Sequence, residues 1–222
     1  TFADAWDTLN QFGLLAPAPP AILAHLQHGL RGEVAETLKP GDPLFDRVTN
    51  RLVGSNAQAA TAAAEKARSL GWSAAELTSR QEGEARVVGA ELARLAQQVA
   101  HEGKPLQRPA CLILGGETTV TVRGSGKGGR NQEVALGAAE GLAGLPDALV
   151  VALASDGGDG PTDAAGAVVS GETLARAAAL GLDATAALSS NDAYPFLDAL
   201  GDLLKPGPTR TNVNDLMLVW VR

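Results

Sequence analysis

The chain has 222 residues, and its 18 Lys plus Arg against 25 Asp plus Glu give a net charge of −7, which argues against a nonspecific nucleic-acid or anionic-membrane binder. Hydrophobic residues make up 45% and charged residues 19%, so the chain is too apolar for disorder and can bury a core. One cysteine (Cys111), three histidines and no apolar run long enough for a membrane span leave no material for a disulfide framework or a zinc knuckle, a set that fits a cytoplasmic protein.

In chain order, apolar spacing predicts short helices over 3–15 and 20–31, separated by Pro17, Pro19 and Pro20. Lys39-Pro40-Gly41-Asp42-Pro43 forbids both a helix and a central strand and reads as a linker. Beyond it strand and helix alternate: a strand over 48–54, a helix over 56–70 capped by Ser55-Asn56, a strand over 73–78 and a helix over 84–102. Strands over 110–114 and 117–123, a helix over 130–143 and a strand over 148–155 follow. Helical stretches near 172–180 and 192–200 precede a terminal apolar strand, Leu216-Met217-Leu218-Val219-Trp220-Val221. This order predicts an α/β fold with a mixed sheet flanked by helices over 46–222. Residues 1–45 read as a helical segment, the tail of an upstream domain, and the absence of an initial methionine reads as a fragment.

Glycine is concentrated at Gly115, Gly116, Gly124, Gly126, Gly128 and Gly129, with the cations Arg123, Lys127 and Arg130 among them. A strand, a tight glycine loop and a helix start would offer backbone N–H groups and a positive dipole end to an anion, with Lys127 and Arg130 adding donors. The loop is not a Walker P-loop. It matches GxGxxG through Gly124, Gly126 and Gly129, and Asp156 ends the strand at 148–155 where a ribose-binding acid could stand, so a dinucleotide site is the rival reading.

The second constellation runs from Ser155 to Gly166 and holds Asp156, Asp159 and Asp163. Three carboxylates so close repel one another unless a cation or donors offset them, which makes them candidate ligands for magnesium; the alternative is a turn-rich loop capping the next helix. Asn191-Asp192 and Gly207–Asp215 read as ordinary turns, and Glu82, Glu84 and Arg86 as surface charges at a helix start.

Four ordered motifs carry a resemblance: Gly115-Gly116-Glu117-Thr118-Thr119-Val120-Thr121-Val122-Arg123-Gly124, Gly128-Gly129-Arg130-Asn131-Gln132-Glu133, Asp159-Gly160-Pro161-Thr162-Asp163-Ala164-Ala165-Gly166, and Thr211-Asn212-Val213-Asn214-Asp215. Together they resemble the C-terminal half of the glycerate 2-kinase family, whose C-terminal region is called MOFRL. The resemblance implies an ATP- and Mg²⁺-dependent kinase that phosphorylates D-glycerate in a cleft between two α/β domains, with an upstream domain supplying a catalytic lysine and aspartate and a homodimer left open. By the same resemblance Arg130 is the catalytic residue, acting at the transferring phosphate or the glycerate. Gly124, Gly126, Lys127, Gly128, Gly129, Asn212 and Asn214 are expected on the nucleotide side, and Glu117, Arg123 and Asn131 on the substrate side. Asp156, Asp159 and Asp163 are expected at the metal. Gly158, Ala193 and Pro195 depart from the family pattern and weaken the expected polyol contacts. The rivals are an NAD(P)-dependent hydroxypyruvate reductase, through the GxGxxG reading, and a noncatalytic anion-binding fragment.

Overall fold

The computed structural model describes all residues, 1–222. They divide into two compact units, Thr1–Leu52 and Val53–Arg222. The first unit holds α1 (Phe2–Gln11), α2 (Pro20–Leu30) and a 3-10 turn over Pro43–Arg47, and none of these elements has a fully buried residue. Thr1 and Asp4 form a capping box at the start of α1, and the chain turns through Gly13 at φ +66°, which ends the helix short of the expected residue 15. The strand expected over 48–54 does not form. Val48, Leu52 and Val53 lie exposed with no neighbouring strand to pair with.

The second unit is built on the expected mixed sheet. Its strands are β1 (Ser73–Gln81), β2 (Ala110–Gly116), β3 (Ala148–Ala154), β4 (Gly166–Ser170), β5 (Leu203–Leu204) and β6 (Asp215–Val221). They lie in the order β1-β2-β6-β3-β4-β5, with only β1 and β2 parallel. The last strand thus inserts between β2 and β3, which is why Leu216–Val221 is so apolar: it has a strand on both sides.

Helices α4 (Ala85–Glu102) and α5 (Arg130–Leu142) cover one face, packing Val88, Leu92, Val99, Val134, Leu136 and Leu142 onto Leu112, Leu114, Val150, Met217 and Val219. They approach closely because Gly89 faces the Val134 carbonyl, where a Cβ would collide. On the other face α3 (Asn56–Ser69) lays Ala60, Ala64 and Ala67 on Cys111 and Ile113, beside stacked Trp72 and Trp220. Burial pushes the Cys111 thiol up to about 11, so it stays protonated and inert. Three short helices, α6 (Thr173–Ala179), α7 (Ala184–Ser189) and α8 (Ala193–Leu200), complete the unit.

The strand expected over 117–123 is also absent, and the structural reason lies beside α4. The chain leaves the sheet at Gly116, φ +154°, and the next residues bond to the α4 start. Thr119 exchanges backbone bonds with Gly83 and Ala85, and the Glu84 carboxylate accepts from the Thr121 N–H and hydroxyl. A single bridge, Glu84 to Thr119, is all the pairing that remains. Strands β4 and β5 and helix α7 are elements the sequence pattern did not reveal.

Candidate active site

The loops after β1, β2 and β3, the loop before β6 and the N-terminus of α5 all meet at one end of the sheet, because Gly116 of β2 and Ala154 of β3 both pair with Asp215, the first residue of β6. Asp215 is fully buried there, and Arg130, the first residue of α5, grips it with a fork: Nε to Oδ2 at 2.6 Å and Nη2 to Oδ1 at 2.9 Å. Glu117 stands 3.5 Å from Nη2. The Asp215 partnership raises the Arg130 pKa further, so the guanidinium is charged at every working pH. Its Nη1 makes no hydrogen bond within the protein. Asn56, at the start of α3, ties the β6 entrance down by donating to the Val213 and Asp215 carbonyls, both at 2.8 Å.

Arg130 lines a cleft of about 570 Å³ whose walls include Thr118, Val120, Gly128, Gly129, Glu133 and Pro161. The glycine loop forms one wall, but it uses its amides differently from the sequence expectation. The N–H groups of Arg123 and Gly124 donate to Asn191 Oδ1 (2.7 and 3.0 Å), that of Gly126 to the Ser190 carbonyl (3.0 Å) and that of Lys127 to Asp192 Oδ1 (2.7 Å). Those four amides are therefore spent inside the protein. The amides of Gly128, Gly129 and Arg130 have no protein acceptor, and these three residues line the cleft at the α5 start. With no strand before it and the Gly124 N–H occupied, the GxGxxG match lacks the strand–turn–helix setting that a dinucleotide fold requires.

The three aspartates expected at the metal do not converge on one point. Asp159 is fully buried and caps α5, accepting from the Asn131 N–H (3.2 Å) and the Gln132 N–H (2.9 Å). Burial pushes its carboxyl above the ordinary range despite these bonds. Asp163 takes the Tyr194 hydroxyl at 2.6 Å, which with Lys205 holds its carboxyl below the usual range. Asp156 accepts from the Gly158 N–H and from Asn212 Nδ2 (3.1 Å). No three Asp, Glu, His or Cys side chains come together as a metal-holding group.

The remaining expected residues are placed as follows. Lys127 lies outside the cleft, its ammonium 4.2 Å from the centre of the Tyr194 ring. Asn131 is fully buried, with its Nδ2 3.4 Å from Asp159 and its Oδ1 without a partner. Arg123 is exposed. Asn212 and Asn214 stitch the loop before β6 to the loop after β3: the Asn214 N–H donates to Asn212 Oδ1, and its carbonyl accepts from Ser155. Asn214 also borders a second cleft of about 630 Å³ with Arg80, Glu82 and Glu117.

Sequence reasoning missed the roles of four residues. Arg86, read as a surface charge, forms a part-buried pair with the buried Glu133 (Nε to Oε1 2.8 Å), and Asn191, read as a turn, bonds both Glu133 and the glycine loop. Asp215 is the fourth. The visible signal was Glu133 itself, a carboxylate directly before the apolar stretch Val134-Ala135-Leu136 of α5.

The glycine loop and the aspartate bend are in direct contact, since a Cβ on Gly160 would strike the Gly128 carbonyl and one on Gly129 the Asp159 carboxylate. An α/β domain with this paired-loop arrangement at one sheet end matches a known family. Residues 110–215 match the model of the MOFRL family and form a MOFRL family domain. The chain is 42% identical over 222 residues to a glycerate 2-kinase of Pyrococcus horikoshii, a match covering all of this chain and 50% of that one. It is 43% identical over 174 residues to a D-glycerate 2-kinase of Thermotoga maritima, covering 78% of this chain and 42% of the relative. The crystal structure of a glycerate kinase from Thermotoga maritima superposes with a TM-score of 0.83 at 36% identity, over all of this chain and 50% of that one. The chain spans about half the length of these relatives.

Proposed function

We propose that this chain forms the C-terminal half of the active-site cleft of a glycerate 2-kinase, which transfers the γ-phosphoryl group of ATP to D-glycerate and yields 2-phosphoglycerate. The observation that carries the reading is Arg130. A buried carboxylate fixes its guanidinium at the mouth of a cleft while Nη1 and the amides of Gly128, Gly129 and Arg130 stay unspent. Phosphoryl transfer asks a protein mainly to position donor and acceptor and to offset charge on the phosphoryl oxygens. A preorganised arginine beside helix-start amides does this for an anion without having to order itself first. Named glycerate kinases among the relatives support the same reaction.

In this reading Arg130 orients the transferring phosphate or the glycerate carboxylate, and the α5 start receives phosphate oxygens. Glu117, at the neighbouring cleft, faces the acceptor side, and Asn214 borders the same cleft. The aspartates of this chain do not form a self-contained Mg²⁺ site. An upstream half, in keeping with a chain that spans about half the length of its relatives, closes the cleft. No helix here is long and apolar enough to cross a membrane, and a cytoplasmic setting accords with the single buried cysteine.

The test is phosphoryl transfer from ATP to D-glycerate by the intact two-half protein, with the product read by ³¹P NMR. Arg130→Lys keeps a charge beside Asp215 but loses the fork, and kcat is expected to fall by about 10²-fold. Unchanged kcat would remove Arg130 from the reaction, and hydride transfer from NADH to hydroxypyruvate would replace the kinase reading.

A further inference from the structure

We infer that Asn191 is the positioning residue of the glycine loop, with its amide orientation dictated by the buried Glu133 carboxylate and its part-buried partner Arg86. This rests on the reading of the adjoining cleft as the kinase site. Asn191 is 7% exposed and lies on the bend before α8 at φ +55°. Its Nδ2 donates to Glu133 Oε2 (3.1 Å) and to the Thr121 carbonyl (3.3 Å); its Oδ1 accepts from the Arg123 and Gly124 amides.

The polarity runs in one direction. Glu133 Oε1 accepts from Arg86 Nε at 2.8 Å, with Nη2 in ion-pair contact at 2.7 Å. A carboxylate only accepts, so the group facing Oε2 has to be a donor, and the amide turns Nδ2 towards it. That leaves Oδ1 towards the loop, where two adjacent N–H groups need an acceptor. The loop is thereby folded onto residues 190–192, and its next unspent amides belong to Gly128, Gly129 and Arg130, which line the cleft. Holding the loop in advance spares the ordering cost when phosphate binds.

The relay predicts a reciprocal rescue. In Asn191→Asp the new carboxylate still accepts the loop amides but opposes the Glu133 carboxylate. In Glu133→Gln the new side-chain N–H₂ opposes Asn191 Nδ2. When both substitutions are combined, the glutamine amide gives its oxygen to Arg86 and donates its N–H₂ to the aspartate carboxylate, which restores the pairing between positions 133 and 191 and leaves only the long Thr121 contact (3.3 Å) unmade. Hydrogen exchange in this chain should show the Arg123 and Gly124 amides exchanging at least about tenfold faster in each single variant and near the wild-type rate in the double. In the intact kinase, each single variant should lower kcat/KM for ATP by about 10- to 100-fold with KM for D-glycerate nearly unchanged, and the double should recover most of it.

Unchanged exchange in both single variants, or a double variant as impaired as the worse single, overturns the proposal. If the wild-type protein transfers no phosphate to D-glycerate, the kinase reading fails, and the exchange measurement still decides whether Asn191 sets the loop.

Discussion

Asp215 holds Arg130 by both carboxylate oxygens from a position with no solvent exposure, so the first residue of β6 and the first residue of α5 are locked together across 85 residues of chain. Asp215→Asn would leave one acceptor and turn an N–H₂ group against the guanidinium. Breaking a buried ion pair costs roughly 3–5 kcal/mol, and Arg130, 29% exposed, can partly rehydrate. A loss of about 2–3 kcal/mol in urea unfolding is expected, together with a fall in kcat that exceeds any rise in KM.

Much of the sheet was legible because β2, β3 and β6 are apolar runs held between neighbours, a pattern that survives any change of partner order. The order itself was not legible, because the insertion of β6 between β2 and β3 pairs residues as distant in the chain as Cys111 and Trp220, 109 positions apart. The Thr-Val alternation of 117–123 looked like a strand, yet Thr118 is buried, Val122 is 74% exposed and the bonding groups go to the α4 start. Alternation records a two-sided environment and does not say that a sheet supplies it. The site shows the same limit. Arg130 was marked by its glycine neighbours, whereas Arg86, Glu133 and Asn191 acquire their roles only from partners 47 and 58 residues away.

Asp159 should leave a signature in the pH dependence of stability. Its folded-state pKa is raised above the ordinary value of 3.8, chiefly by burial. As pH rises from that value, the unfolded chain releases its proton first and the folded chain keeps it, so the folded state binds more protons and loses stability. The contribution falls as pH climbs from about 4 to the folded pKa and is level above it. Urea melts of wild type and Asp159→Asn, run from about pH 4 to about pH 7, should show wild-type stability declining relative to the variant, in which this position does not titrate. A parallel pair of curves would place this carboxyl outside the folded-state balance.

Gly160 marks where the two active-site loops touch. It sits at φ +61°, and a Cβ would meet the Gly128 carbonyl, so alanine there suffers both the left-handed penalty of about 1–2 kcal/mol and a backbone collision. Gly160→Ala is expected to destabilise the protein by at least about 2 kcal/mol, seen as a fall of about 4–8 °C in Tm. Gly181→Ala is the control. Its φ of +71° is similar but no atom lies within reach of a Cβ, so only the backbone part should appear.

Lys127 separates charge in the neighbourhood from charge at the site. In an acidic chain a lysine inside a glycine loop looks like a phosphate ligand, but its N–H is held by Asp192 and its ammonium rests over Tyr194, whose hydroxyl also receives Lys205. An exposed cation–ring contact of this kind is worth about 0.5–1 kcal/mol, enough to bias the side chain away from the cleft without fixing it there. Lys127→Ala should therefore raise KM for ATP by less than about threefold, with kcat almost unchanged, while Arg130→Lys lowers kcat by about 10²-fold. The first variant removes a full positive charge beside the cleft and the second removes none. A larger loss in the second would mean that fixed geometry governs the anion, and a larger loss in the first that net charge does.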